Sequence, residues 1–247
     1  MRRFLALLAM LLLGSWTTLA AAESFTPAQR AEIVEILRNA LKTDPGILRD
    51  AITALQDADG AQQQAAMRSA IAAAGNALTK TPGDPVEGNV RGDVTVVEFY
   101  DLRCPYCRRM LPVAAELLRR DGNVRIVYKD IPILGPASML GARAVLAAQK
   151  QGGYLKLRTA LMSGPADITT DTLRAAAERT GLDWDKLQKD MTDPAVQARI
   201  DANLTLARRL GIQGTPAYVI GDRMMPGAVE LADLQSAIAA TRQGQKQ

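Results

Sequence analysis

Histidine does not occur among the 247 residues, and cysteine occurs only twice, as Cys104 and Cys107. The first absence removes imidazole catalysis and the commonest metal ligand together, and a zinc ion at the two cysteines would have to complete its shell with carboxylates, so no metal site and no cofactor are expected. The second absence means that no separate structural disulfide can form; the one possible internal bridge is Cys104–Cys107. A large excess of charge is also missing. The chain carries 30 basic and 26 acidic residues for a net +4, and without Arg2 and Arg3 the balance is 28 against 26, which gives a nucleic-acid partner no support. The apolar run at residues 4–13 is short of the roughly 20 residues a membrane span requires. Preceded by Met1-Arg2-Arg3 and followed by Ala20-Ala21-Ala22, it has the zones of a secretory signal, with export and cleavage near Ala22 expected. Hydrophobic residues make up 48% of the chain, enough for an ordinary packed core.

What is present is organised around Val94-Thr95-Val96-Val97-Glu98-Phe99-Tyr100-Asp101-Leu102-Arg103-Cys104-Pro105-Tyr106-Cys107. The apolar, β-branched run reads as a strand buried on both faces, and it feeds a C-x-x-C pair opening a helix. Pro105 suits the first helical turn, so Cys104 falls at the helix N-terminus, where unpaired N–H groups and the helix dipole stabilise an anion. Cys104 is therefore the expected attacking thiolate. Cys107, one helical turn on, is within reach to close a disulfide.

Before this stretch, residues 26–42 and 45–56 read as amphipathic helices, Asp57 to Gly60 as a break, and residues 61–78 as a third helix. Residues 79–93, rich in Pro and Gly, read as a joint in which Val86 can start a short edge strand. After the dithiol, a helix to Arg120, a turn at Asp121-Gly122-Asn123 and a strand at Val124-Arg125-Ile126-Val127-Tyr128 make a right-handed βαβ unit with parallel strands. Residues 135–210 carry helical patterning. Ala217-Tyr218-Val219-Ile220, a two-residue turn at Gly221-Asp222 and Arg223-Met224-Met225 form a hairpin, and a helix follows from Leu231.

This order of elements, the C-x-x-C after a buried strand, and Gly214-Thr215-Pro216 opening the late hairpin resemble the thioredoxin superfamily, and within it the exported DsbA-like thiol:disulfide interchange proteins. The N-terminal helices, Asp93 to Asp101, and Tyr128-Lys129-Asp130-Ile131-Pro132-Ile133-Leu134-Gly135 are similar to the branch containing ScsC and the Com1-type surface proteins. The resemblance implies an α/β thioredoxin fold with an inserted helical domain, preceded by a helical N-terminal extension. The implied division is a signal at 1–22, a helical oligomerisation region at 23–79 and a DsbA-like domain at 80–247 with its insertion at about 135–210. It further implies that Cys104 and Cys107 form the redox-active disulfide, that Glu98 with Lys129 relays protons beneath it, and that Thr215 and a cis Pro216, with Tyr106, meet the substrate.

Two departures bear on direction. Tyr106 stands where strongly oxidising members have His, and losing a group that favours the thiolate makes the disulfide less oxidising. A potential between the glutaredoxin values, about −200 to −230 mV, and that of DsbA, about −120 mV, is expected. Thr215 before the proline matches the isomerase and reductase relatives. The expected function is thus a thiol:disulfide oxidoreductase acting on cysteine-containing exported proteins, with isomerase or reductase use favoured. The expected partners are a membrane protein that resets the dithiol and further copies of the chain in a dimer or trimer. A DsbA-type oxidase is the alternative enzyme. A periplasmic chaperone or copper-binding module, with Cu(I) held by the two thiolates, is the alternative of another class. Arg108-Arg109 reads as a solvated helix face, and Met110, Met224 and Met225 as core residues in preference to a groove lining.

Overall fold

The computed structural model describes residues 25–245; the expected signal segment lies outside them. The chain divides into two compact units between Gly60 and Ala61. In the first, helix α1 (Pro27–Thr43) starts at a capping box: the Thr26 hydroxyl accepts from the Gln29 N–H, and the Gln29 side chain accepts from the Thr26 N–H, with Pro27 next in line. No residue of α1 is buried. Its Ile36, Leu37 and Leu41, and Leu48, Ile52 and Leu55 at the start of α2, are all exposed.

Helix α2 spans Gly46–Ala74 without interruption, so the break expected at Asp57 to Gly60 does not exist. Gly60 costs a helix interior about 1 kcal/mol, and Asp carries a similarly small penalty on an exposed face, which the helical residues on either side override. A single turn, α3 (Asn76–Thr79), follows.

The second unit is built on a five-stranded sheet in the order β1-β3-β2-β4-β5, from β1 (Val86–Gly88), β2 (Val94–Tyr100), β3 (Val124–Asp130), β4 (Ala217–Ile220) and β5 (Arg223–Pro226). Strands β2 and β3 are parallel, joined through α4 (Pro105–Arg120) as the βαβ reading requires; the other pairings are antiparallel. The β4–β5 turn uses Gly221 at φ 60°, and a Cβ there would also meet the Thr241 hydroxyl at 2.6 Å. The inserted block comprises α5 (Pro136–Ala148), a 3-10 turn, α6 (Tyr154–Ser163), α7 (Thr170–Arg179), α8 (Trp184–Asp190) and α9 (Pro194–Arg209), and α10 (Leu231–Gly244) closes the chain. Thr169, Asp183 and Asp193 cap α7, α8 and α9 with side-chain oxygens.

Because strand side chains alternate, the sheet has two different faces. Val94, Val96 and Tyr100 of β2, with Ile126 and Tyr128 of β3, share a core with α4, α10 and most of the insertion. Val97, Phe99, Val127, Ile131 and Val219 point the other way, into a smaller core closed by Leu206, Ala207 and Leu210 and by Ile71 and Leu78 from the end of α2 and from α3. Residues 67–78 are thus part of the second unit's packing. Ile71→Ala is expected to destabilise this unit by about 2–4 kcal/mol through the cavity it leaves, measured as a lower midpoint in urea unfolding followed at the β-sheet.

Candidate active site

Cys104 is the N-cap residue of α4 in extended backbone, and Pro105 occupies the first helical position. Its thiol donates to the Thr215 carbonyl at 3.1 Å, and the Thr215–Pro216 peptide bond is cis. Cys107 lies one turn further into the core with no exposed surface, and the two thiols are free. Burial pushes the Cys107 thiol up well beyond the ordinary range; the Asp101 backbone counteracts this, the neighbouring Cys104 and Glu98 add to it, and the Thr215 hydroxyl draws it down. The dithiol is therefore asymmetric, with one sulfur at a helix N-terminus beside a surface loop and the other sealed beneath it. Beside that loop a cavity of about 260 Å³ is lined by Gly214, Thr215, Pro216, Met224 and Gly227. Tyr106 is 54% exposed, its ring covered on one side by the Arg109 guanidinium at 4.6 Å from the centroid. Met110 is buried in the core, as read from the sequence, whereas Met224 is only partly buried and also reaches the cavity.

Asp101 and Arg108 hold this loop in shape, and sequence reading gave neither a role. The buried Asp101 carboxylate accepts from the Arg103 N–H at 2.8 Å, the Ser138 hydroxyl at 2.8 Å, and the Ile133 and Leu134 N–H groups at 2.9 and 3.1 Å. Arg108 is not a solvated residue. Its guanidinium donates to the carbonyls of Leu102, Leu161, Gly164 and Pro165, tying α4 to the loop after α6.

Glu98 is buried on the same face of β2 as Val96 and Tyr100, the face against which α4 packs Cys107. Its carboxylate meets Arg158 Nη2 of α6 and the Tyr218 hydroxyl of β4, each at 3.3 Å. Burial raises its pKa, and Arg158 and Tyr218 hold the rise back. Lys129 does not join it. In the β2–β3 register Glu98 pairs with Tyr128 and Phe99 with Lys129, so Lys129 projects from the opposite face of the sheet. There it is buried, donating to the Ala77 carbonyl at 2.8 Å and pairing with Asp84, which also takes Arg199 at 2.8 Å. The pairing of Lys129 with Glu98 in a proton relay is corrected accordingly: the two are separated by the sheet.

A family model described as the DSBA-like thioredoxin domain matches residues 95–239, and one described as the copper resistance protein ScsC N-terminal domain matches residues 29–66. The chain belongs to the DSBA-like thioredoxin family. Its members are thiol-disulfide exchange oxidoreductases, and Cys104–Cys107 is the C-x-x-C pair of this one. Among solved structures, a thioredoxin-like oxidoreductase from Silicibacter pomeroyi is 44% identical with a TM-score of 0.67, the match covering 68% of this chain and 98% of that one. ScsC of Proteus mirabilis in a compact conformation is 31% identical with a TM-score of 0.66, over 88% of this chain and all of that one. The Na(+)/H(+) antiporter NhaA 1 of Salinispora arenicola is 30% identical over 169 residues, 66% of this chain but only 26% of the antiporter. The chain thus spans about a quarter of the length of the antiporter relatives it matches.

Within the DSBA-like domain a second buried cluster lies behind Arg158. Tyr100 and Tyr154 hydroxyls lie 2.6 and 2.8 Å from the two carboxyl oxygens of Asp130 and 2.7 Å from each other. Three short contacts need three protons, and two phenols supply only two; a protonated Asp130 supplies the third and closes the ring. Burial accordingly raises Asp130 to about 6, against the pull of the two phenols and Arg158. A folded-state pKa above the unfolded value means that the native state holds the proton more tightly, so the stabilisation is present at low pH and is lost as pH rises from about 4 through 6. The shift corresponds to about 3 kcal/mol at 1.36 kcal/mol per unit. Asp130→Asn is expected to remove this part of the pH dependence, so that urea titrations at pH 4, 5 and 6 show the variant gaining on the parent by about 2 kcal/mol, the share lost over that range.

Proposed function

We propose that the protein is exported and exchanges disulfides in other exported proteins, with isomerisation or reduction as its use in preference to net oxidation. The observation that carries this is the asymmetric dithiol: Cys104 at the N-terminus of α4 against the Thr215 carbonyl, and Cys107 closed off from solvent behind it. Cys104 attacks a substrate sulfur and forms a mixed disulfide, assisted by the helix terminus that stabilises its thiolate. Cys107 then displaces the substrate. An extended substrate segment lies along the Gly214–Thr215 backbone and the adjoining cavity, and the exposed Tyr106 ring is available to meet it. Export follows from the pattern of residues 1–22, and a membrane partner that restores the dithiol follows from the reductive direction. Tyr106 and Thr215, in place of the residues of the strong oxidants, support that direction.

The test is trapping. In a Cys107→Ser variant the mixed disulfide cannot be resolved from within, so adducts with exported proteins are expected to accumulate on non-reducing gels and to vanish with Cys104→Ser. Trapping by Cys104→Ser instead would reverse the roles.

The second part of the proposal is that copies of the chain associate through residues 24–78. The support is the ScsC-type match over residues 29–66 and the exposed Ile36, Leu37, Leu48, Ile52 and Leu55 within it, side chains that association would bury at about 25 cal/mol per Å². Several dithiols facing one misfolded substrate suit isomerisation. Because Ile71 and Leu78 belong to the packing of the second unit, the appropriate truncation begins at Ala61. Light scattering is expected to give a dimer or trimer for residues 23–247 and a monomer for residues 61–247, with isomerisation of scrambled ribonuclease falling at least several-fold in the shorter chain. A monomeric longer chain, or undiminished isomerisation by the shorter one, would remove this part.

A further inference from the structure

The groups that face Glu98 or its partner Arg158 come from five elements besides the strand of Glu98. Tyr218 approaches from β4, Tyr128 and Asp130 from β3, Glu87 from β1, Cys107 from α4, and Tyr154 and Arg158 from α6; Tyr100 shares its strand. Among the described residues Arg158 is the sole cation in this set, since Lys129 lies across the sheet. It reaches Glu98 from an inserted helix 60 residues away in sequence, and its guanidinium lies over the Tyr128 and Tyr100 rings at 3.9 and 4.6 Å from their centroids. Its Nε has no hydrogen-bond partner. The side chain is 2% exposed and that of Glu98 1%. An arginine placed only to fill space would not need to be packed over two tyrosine rings with its fork turned to a carboxylate.

We propose that Arg158 is a positioning residue of the exchange reaction: it keeps the buried Glu98 carboxylate ionised so that Glu98 can accept the proton of Cys107 when the mixed disulfide is resolved. This rests on the exchange reading given above. In that step the Cys107 thiol passes its proton to Glu98, and the resulting thiolate attacks Cys104 Sγ. The bond between Cys104 and the substrate sulfur breaks, its electron pair leaving on the substrate as a thiolate that takes a proton from water. The Cys104–Cys107 bond forms, the dithiol having lost two electrons to the substrate disulfide. Alone at this depth Glu98 would stay protonated, because burial disfavours its charged form, and a neutral acid cannot accept a proton. The inserted helices thereby contribute to the chemistry of the sheet.

The experiment uses the full mature chain with 5,5′-dithiobis(2-nitrobenzoic acid). Attack by Cys104 releases one coloured thiolate and resolution by Cys107 a second, so stopped-flow absorbance separates the steps, and Cys107→Ser assigns the phases. Arg158→Met is expected to leave the first phase unchanged, slow the second about tenfold or more at pH 7, and move its pH midpoint up by about one unit, with Arg158→Lys restoring most of both. In an E98Q background, Arg158→Met is expected to add no further slowing. That comparison also serves should the single variant not fold, since the double variant leaves no buried charge unpaired. A second phase whose rate and midpoint do not move in Arg158→Met, or an equal slowing by Arg158→Met with and without Glu98, overturns the proposal. Absence of a second phase in the parent overturns the exchange reading itself, and this proposal with it.

Discussion

Glu98 and Arg158 meet at 3.3 Å in a volume closed to water, and neither charge can be left there without the other. Taking a carboxylate and a guanidinium out of water costs several kcal/mol per ion, and only their mutual attraction and the surrounding dipoles offset it. The Tyr218 hydroxyl and the two aromatic faces under Arg158 supply those dipoles. The pair also crosses a structural boundary, with its acid on the central strand and its base on the insertion. Folding of the inserted helices and the electrostatics beneath the dithiol are therefore one problem, and α6 has to be seated before β2 can carry a charge.

The sheet separates two kinds of buried polarity. On the face toward α4 and the insertion lie Glu98, Arg158, Asp130 and the tyrosines, all within reach of the dithiol's surroundings. On the other face Lys129, Asp84 and Arg199 fasten the segment leading from α3 to β1, and the Lys129 donation to the Ala77 carbonyl holds the end of α3 against the sheet. Burial lowers the proton affinity of Lys129, and Asp84 opposes that change. The first cluster lies beneath the dithiol; the second fastens α3 and the segment before β1 to the sheet.

Much of this was legible in the residues. The apolar run of β2, the dithiol at a helix start, the parallel βαβ unit and the final hairpin all follow from local pattern, because each depends on residues adjacent in sequence. The burial of Glu98 was legible for the same reason, as an acid inside an unbroken apolar strand. The side of the sheet on which Lys129 falls was not, because that depends on register: a one-residue change in pairing with β2 would have placed it beside Glu98. Arg158 was not legible either, since nothing in an amphipathic helix marks one arginine as facing inward, and its partner is 60 residues away. Gly60 misled in the opposite direction, carrying a local preference for a break that the helix around it overrode.

The Arg108 fork has a mechanical side. In the exchange proposed above a mixed disulfide is a tether, and a substrate that refolds while attached to Cys104 pulls on the first turn of α4. Arg108, one turn along, passes that load to the carbonyls of Leu161, Gly164 and Pro165, and so to the end of α6. Tension applied at the sulfur is thereby shared with the insertion instead of being borne by the few backbone hydrogen bonds at a helix end, where helices fray first.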